Sequence, residues 1–177
     1  MNKIFEKLTN QLTETIESSI SLSLHNKNQE VEVIHLIWAL LTNTNSILNQ
    51  LLNKMNIDKS AIELEAKSYA SKLPQSSSVS KDNIKIGKEV VLSLQNSEGL
   101  MTSMGDQFVA VDTWIIANLK HKVFKEVLGK YISLTEIKKT LEVMRGGLKV
   151  ESQSSDDTFE ALEKYGINLN QKSMGGE

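Results

Sequence analysis

Apolar residues at Ile4, Phe5, Leu8, Leu12, Ile16, Ile20 and Leu24 recur every three or four positions, the spacing of one helical face. The pattern predicts one long amphipathic helix, with Thr9, Thr13 and Ser21 on its polar borders. Asn26 to Gln29 reads as a turn, and Val31 leads into a second helix whose stripe is Leu36, Ile37, Leu40 and Leu41, with Glu32 as its N-cap. Thr42 to Ser46 interrupts. Ile47, Leu48, Leu51, Leu52 and Met55 then draw a short helix, and a further one is expected from an Asp58 cap to about Lys72.

The pattern then repeats. Gln29, Val31, Val33, Ile37, Ala39 and Leu41 recur at one constant offset as Gln107, Val109, Val111, Ile115, Ala117 and Leu119, and upstream Leu22 matches Leu100. Downstream the register slips by about two residues, so that Leu52 to Met55 answers Leu128 to Tyr131. A period of about eighty residues seen twice is too long for a solenoid unit and describes a duplicated helical module closing across a pseudo-twofold. The fold class is therefore all-α, a doubled four-helix repeat with a C-terminal tail. Repeat one spans about 1–73 and repeat two about 83–145, within a domain of 1–147.

Between the copies, Leu73 to Lys81 is polar, carries the chain's single proline, Pro74, and reads as a mobile connecting loop. Asn83 opens the second copy, whose long helix is drawn by Ile84, Val90, Val91, Leu94, Leu100, Met101 and Met104, with Gly99 a weak point inside it. Gly105-Asp106 forms its turn, and Trp114, Ile115, Ala117 and Leu119 mark the next helix. After Val123, Phe124, Val127 and Leu128, Gly129 reads as a C-cap, and Leu134 to Arg145 is the last helix, stopped by Gly146-Gly147. Residues 148–177 read as a linker and the start of a connection to a further module. Within them, Thr158 to Tyr165 is a candidate short helix, and Ile167 to Glu177 holds too few apolar residues to bury itself.

Composition narrows the function classes. A net charge of -2 with interspersed signs gives no basic field for nucleic acid or an anionic membrane. The absence of cysteine removes thiol catalysis, thiolate metal sites and disulfides, and fits a reducing cytoplasm. The longest apolar run, Val33 to Leu41, is broken by His35 and is too short to span a bilayer, and the N-terminus has no signal-like apolar core.

Catalytic patterns are missing too. His25, His35 and His121 stand at no metal-binding spacing, no Gly-x-Ser-x-Gly elbow occurs, and the glycines form no phosphate-binding loop. The domain is read as a binding scaffold without a catalytic, cofactor or metal site. Asp112 stands apart, because its counterpart in the first copy is the apolar Ile34. Two readings stay open for it: an anion favoured by the first turn of a helix, or a surface role together with Asp106. Asp156-Asp157 reads as the cap or start of the tail helix. The Met101/Met104 pair is core or, less simply, part of an adaptable binding surface.

Three segments carry a family resemblance. Gly105-Asp106-Gln107-Phe108-Val109 with Val111-Asp112, Met144-Arg145-Gly146-Gly147, and Ala161 through Leu169 together resemble the N-terminal (Clp N) domain of ClpB-type Hsp100 disaggregases. The last two segments favour that type over protease-linked Clp unfoldases, whose N-domains dock adaptor proteins and remain the alternative reading. A free-standing hydrolase using Asp106 and Asp112 is the third.

The resemblance implies a domain that engages unfolded or aggregated polypeptide and helps deliver it to the pore of a hexameric AAA+ ring. ATP and Mg would act in the full-length protein, the Hsp70 (DnaK) system would cooperate, and this chain by itself would be a monomer. It also implies substrate-handling roles for Thr9, Asp106 and Asp112, beside an apolar groove to which Leu100 belongs. Asn96 and Thr113 make the neighbourhood of that groove more polar than the resemblance leads one to expect.

Overall fold

The helix expected across the first two dozen residues is broken at Leu8 and Thr9. In the computed structural model, which describes residues 3–156, Lys3–Lys7 is a 3-10 turn and the first helix proper, α1, is Asn10–His25. A two-residue strand, β1 (Glu30–Val31), and helices α2 (Val33–Thr42), α3 (Ile47–Lys54) and α4 (Lys59–Ser71) complete the first copy. Strand β2 (Lys85–Ile86), α5 (Lys88–Ser103), α6 (Val111–Ala117), α7 (Lys122–Val127) and α8 (Leu134–Arg145) form the second. The readings made for Asp157, for the 158–165 helix and for the segment 161–169 lie outside the described residues.

The break at Leu8 has a long-range cause. Leu8 pairs in parallel with Val109, and the Thr9 N–H donates to the Val109 carbonyl at 3.0 Å. In the other half, β1 pairs in parallel with β2, Val31 opposite Ile86, and the Gly87 N–H donates to the Val31 carbonyl at 2.8 Å. Leu8 and Ile86, Thr9 and Gly87, and Val31 and Val109 all stand at the sequence offset found in the repeat. Each copy therefore lends its opening segment to the other copy's turn, and the two bridges are pseudo-twofold equivalents. For the same reason the second copy's long helix begins at Lys88, later than the apolar pattern alone indicates: Lys85 and Ile86 are spent on the strand.

Local chemistry sets the remaining boundaries. Ser46, Asp58 and Ser133 each accept a backbone N–H from the first turn of α3, α4 and α8, so the Asp58 cap stands as expected. Glu32 also precedes its helix as expected, but the group that closes the turn is His35, whose Nδ1 accepts the Glu32 N–H at 2.9 Å. Gly146 ends α8 in the left-handed region, φ 61°. Gly129 is no such cap, because its φ is not positive; a Cβ there would lie 2.5 Å from the Lys125 carbonyl oxygen, so close backbone approach is what excludes a side chain.

α2 is buried from Val33 to Leu41 and forms the spine of the first copy, with α1 and α4 packed on it. Trp114 and Phe124, ring centroids 5.4 Å apart, anchor the second. α3 packs on α8 and α4 on α7, which is the same contact seen from each side of the pseudo-twofold. The apolar stripe of α1 conceals a second buried row, Thr15, Ser19 and Ser23, each hydroxyl returned to the carbonyl four residues earlier. In α5 the matching Ser93 and Ser97 face α6 and receive the Trp114 indole N–H and the Asn118 amide.

Two stretches read as loose connectors are pinned. In the inter-repeat loop, the Ser76 N–H donates to the Lys27 carbonyl, and the Asn28 amide donates to the Pro74 carbonyl. The segment after α8, expected as part of a linker from 148 onward, packs on the body as far as Asp156, with Val150 fully buried.

Candidate functional site

Three elements of the second copy converge on Arg145, the last residue of α8. Gly105, at φ 77°, turns the chain sharply after α5 and delivers Asp106 inward, while Asp112 and Thr113 stand in the first turn of α6. Arg145 Nε and Nη2 grip both oxygens of Asp112 at 2.9 and 2.8 Å. Nη1 donates to Asp106 Oδ2 at 2.8 Å and to the Leu148 carbonyl at 3.3 Å, and Nη2 also reaches Thr113 Oγ1 at 3.1 Å. Those five bonds use every N–H of the guanidinium.

Asp106, Asp112 and Arg145 are all buried, at 6, 7 and 6% exposure. Burial works to lower the Arg145 pKa, but the hydrogen bonds and charges of Asp112 and then Asp106 outweigh it and hold the value above the ordinary one. The guanidinium is therefore fixed as a cation, and the bidentate fork to Asp112 sets its plane.

Sequence reasoning found both carboxylates and missed the cation that explains them. A signal was available: Arg145 is the single arginine in a chain with nineteen lysines. Where a planar fork must satisfy two buried carboxylates, lysine cannot substitute. Of the two readings open for Asp112, a surface role with Asp106 does not match its burial. The pair do work together, beneath the surface.

Thr9 is fully buried as the N-cap of α1: it accepts the Leu12 N–H at 3.3 Å and donates to Asp156 Oδ2 at 2.7 Å. Asp156 in turn lines, with Asp112 and Arg145, a narrow cleft of about 20 Å³ between the copies. Of the four sequence-predicted residues only Asp112 lines the cleft itself; Thr9 is joined to it through Asp156 and Asp106 through Arg145. Leu100 is half-buried on α5 and lines neither this cleft nor the hollow beside it.

That hollow is a half-open space of about 210 Å³ on the outer side of the clamp, bounded by Met104, Ile116, Leu148, Glu142 and Lys149, with Asp112 and Arg145 at its base. Its surface is apolar in the middle and carries one charge of each sign at the rim. Among the described residues no group of histidine and carboxylate side chains could hold a metal ion.

The family model described as the Clp repeat (R) N-terminal domain matches residues 7–131. The chain belongs to this family. Chaperone protein ClpB of Wolinella succinogenes is 55% identical over 170 residues, which is 96% of this chain and 20% of that protein. Among solved structures, the Hsp104 N-terminal domain of Candida albicans superposes with a TM-score of 0.75 at 18% identity, over 85% of this chain and 99% of that one. A complex of the ClpV N-domain with a VipB peptide gives a TM-score of 0.61 at 17% identity, over 85% and 93%.

The chain is thus a Clp N-domain of the ClpB chaperone type, spanning about one-fifth of the length of the ClpB relative it matches. Both carboxylates of the clamp lie within the residues matched to the Clp N family, and Arg145 lies beyond them.

Proposed function

We propose that this Clp N-domain recognises exposed apolar segments of unfolded or aggregated polypeptide and helps deliver them to the pore of a cytoplasmic, hexameric ClpB-type AAA+ disaggregase. ATP and Mg would serve the ring, the Hsp70 (DnaK) system would cooperate with it, and the domain itself would contribute binding without catalysis. The observation that carries the reading is the hollow at Met104, Ile116 and Leu148, an apolar surface open to solvent whose base is a rigid, fully bonded ion cluster.

Leu100 lies one helical turn before Met104 on the same side of α5, so it extends that apolar surface along the helix. In this reading Thr9, Asp106 and Asp112 handle substrate from below, by fixing the walls, and the rim residues Glu142 and Lys149 meet the client. A related N-domain, that of ClpV, has been seen with a peptide, which supports peptide recognition as a use of this fold.

A shallow surface of this size holds a client weakly, on the order of 10–100 μM, and several copies on one ring would add avidity. Weak binding suits a client that has to leave for the pore.

The test is an NMR titration of the 177-residue chain with reduced, permanently unfolded α-lactalbumin. Shifts are expected to cluster on Met104, Ile116, Leu148 and Leu100, and to be abolished by Leu148→Asp. Shifts confined elsewhere, or none, would move the adaptor-docking alternative ahead.

A further inference from the structure

The segment after α8 is built as a strap. Gly146 and Gly147, both at positive φ, reverse the chain, and it then crosses the second copy to reach the first. The Val150 side chain is fully buried; its N–H donates to Asp106 Oδ1 at 3.0 Å, and its carbonyl accepts the Gln107 N–H at 2.7 Å. Further along, the Gln153 carbonyl accepts the Asn10 N–H at 2.7 Å, and Asp156 takes the Thr9 hydroxyl. Asn10 opens α1, so its amide has no partner within its own helix, and the strap supplies one.

Asp106 is the pivot. One oxygen holds Arg145 and the other holds the strap, so a single carboxylate joins the ion cluster to the exit path. Gly147, Leu148 and Lys149 form one wall of the hollow, and Lys149 Nζ reaches back to the Met104 carbonyl at 2.6 Å. Between these anchors the chain is polar and exposed from Glu151 to Ser154, held by its own serine turn. The strap thus rests on a few discrete points and contributes one buried apolar side chain. That is the makeup of an element able to open while the helices stay folded.

We propose that residues 148–156 are a latch: a two-state strap, closed through Asp106 and Thr9, that completes the wall of the hollow and opens independently of the helical core. Opening removes Leu148 and Lys149 from the wall. An occupant of the hollow therefore favours the closed strap, and by reciprocity the closed strap favours the occupant. The coupling to a client rests on the function proposed above, whereas the latch itself does not.

Hydrogen exchange on the 177-residue chain separates these claims. In the wild type, the Gln107, Asn10 and Val150 amides are expected to be protected, but to exchange faster than Ile37 and Leu40 in α2. Val150→Ala leaves the ion cluster untouched; it is expected to speed exchange at Gln107 and Asn10 by about tenfold or more without moving α2, as sub-global opening requires. Strap amides exchanging as fast as an unstructured peptide, or only at the rate of α2 in both proteins, would overturn the latch.

Unfolded α-lactalbumin is then added. Strap exchange that slows in proportion to client occupancy, in the wild type and in Val150→Ala alike, supports the coupling. Binding with unchanged strap exchange overturns the coupling while leaving client recognition intact. An absence of binding overturns client recognition and the coupling together, and the exchange rates without client still decide the latch.

Discussion

Asn28 and Asp106 occupy the same place in the two copies of the module, each directly after a residue in the left-handed region, Lys27 at φ 57° and Gly105 at φ 77°. In the first copy the side chain is an amide that joins His35 Nε2, at 2.9 Å, to the Ala70 and Pro74 carbonyls. In the second it is a carboxylate that joins Arg145 to Val150. His35 and Thr113 also correspond, and Ala70 and Arg145 both sit in the last turn of the copy's fourth helix. One architecture thus locks the fourth helix to the turn after the first, with a neutral network in one half and a charged network in the other.

The charged network makes Arg145 a sensitive position of the domain. Arg145→Ala leaves Asp106 and Asp112 buried without their cation and is expected to cost about 3–5 kcal/mol in urea unfolding. Arg145→Lys restores a charge but not the fork, and is expected to recover only part of that loss. Asp106→Asn combined with Arg145→Ala should cost less than the sum of the single changes, because one of the stranded charges has been removed. Additive losses in that cycle would show that the ion cluster does not act as a unit.

The neutral network gives the first copy a dependence on acid. His35 is fully buried, and burial pushes its pKa down to about 4. The geometry agrees: Nδ1 is occupied by the Glu32 N–H and Nε2 donates to Asn28, so a second ring proton would break a bond. The imidazole is neutral in both states above the ordinary histidine value of about 6.5. As pH falls from there toward 4, the unfolded chain binds a proton that the folded one refuses, and up to about 3 kcal/mol of stability is lost.

Glu32, raised by burial and then by Glu30, acts in the opposite sense over part of this range. The measurement is therefore a comparison. His35→Gln should be less stable than wild type at pH 7, and the gap should narrow by pH 4.5. A gap that stays constant with pH would show that His35 does not titrate as its burial implies.

Thr9 has two duties in one hydroxyl, accepting from Leu12 and donating to Asp156. Thr9→Val keeps the shape and loses both bonds, with an expected cost of about 1–2 kcal/mol, the range of a lost helix cap. Thr9→Ser keeps both and is expected to stay within about 0.5 kcal/mol of wild type. A loss on Thr9→Ser as large as that on Thr9→Val would show that the two hydroxyl bonds are not what the position contributes.

Much of this was legible in the sequence, and what was not has a common cause. Helices α2, α3 and α4 followed from apolar spacing and from caps at Glu32 and Asp58, because those signals are local. The breaks at Leu8 and Ile86 were hidden, because each residue pairs with a residue of the other copy and its apolar character equally suits a helix. The buried Thr15, Ser19 and Ser23 row was not legible, since their hydroxyls are satisfied by their own helix, a bond that leaves no mark in periodicity. Asp112 stood out once the copies were aligned, and Asp106 entered with it through the family resemblance. Their burial did not, because the partner that permits it lies a full helix away in Arg145. Val150, one apolar residue in a polar run, gave no sign that it anchors a strap.

Glycines offer a test of how far local geometry decides stability. Gly99 sits on the exposed side of α5, where an added Cβ would meet nothing within 4 Å. Gly99→Ala therefore removes backbone freedom from the unfolded chain without a steric cost and should stabilise the domain by about 0.5–1 kcal/mol. At Gly146, φ 61°, a side chain must adopt the left-handed region, and Gly146→Ala should cost about 1–2 kcal/mol. At Gly129 the obstacle is contact: the Cβ would lie 2.5 Å from the Lys125 carbonyl oxygen, a backbone atom that cannot turn aside, so α7 must shift. Gly129→Ala should then cost about 1–3 kcal/mol, as for other overpacked sites. Urea midpoints for the three variants should fall in the order Gly99→Ala above wild type and the other two below it. A Gly129→Ala midpoint equal to wild type would mean that α7 yields freely, and that its packing against α4 across the pseudo-twofold is looser than the contacts imply.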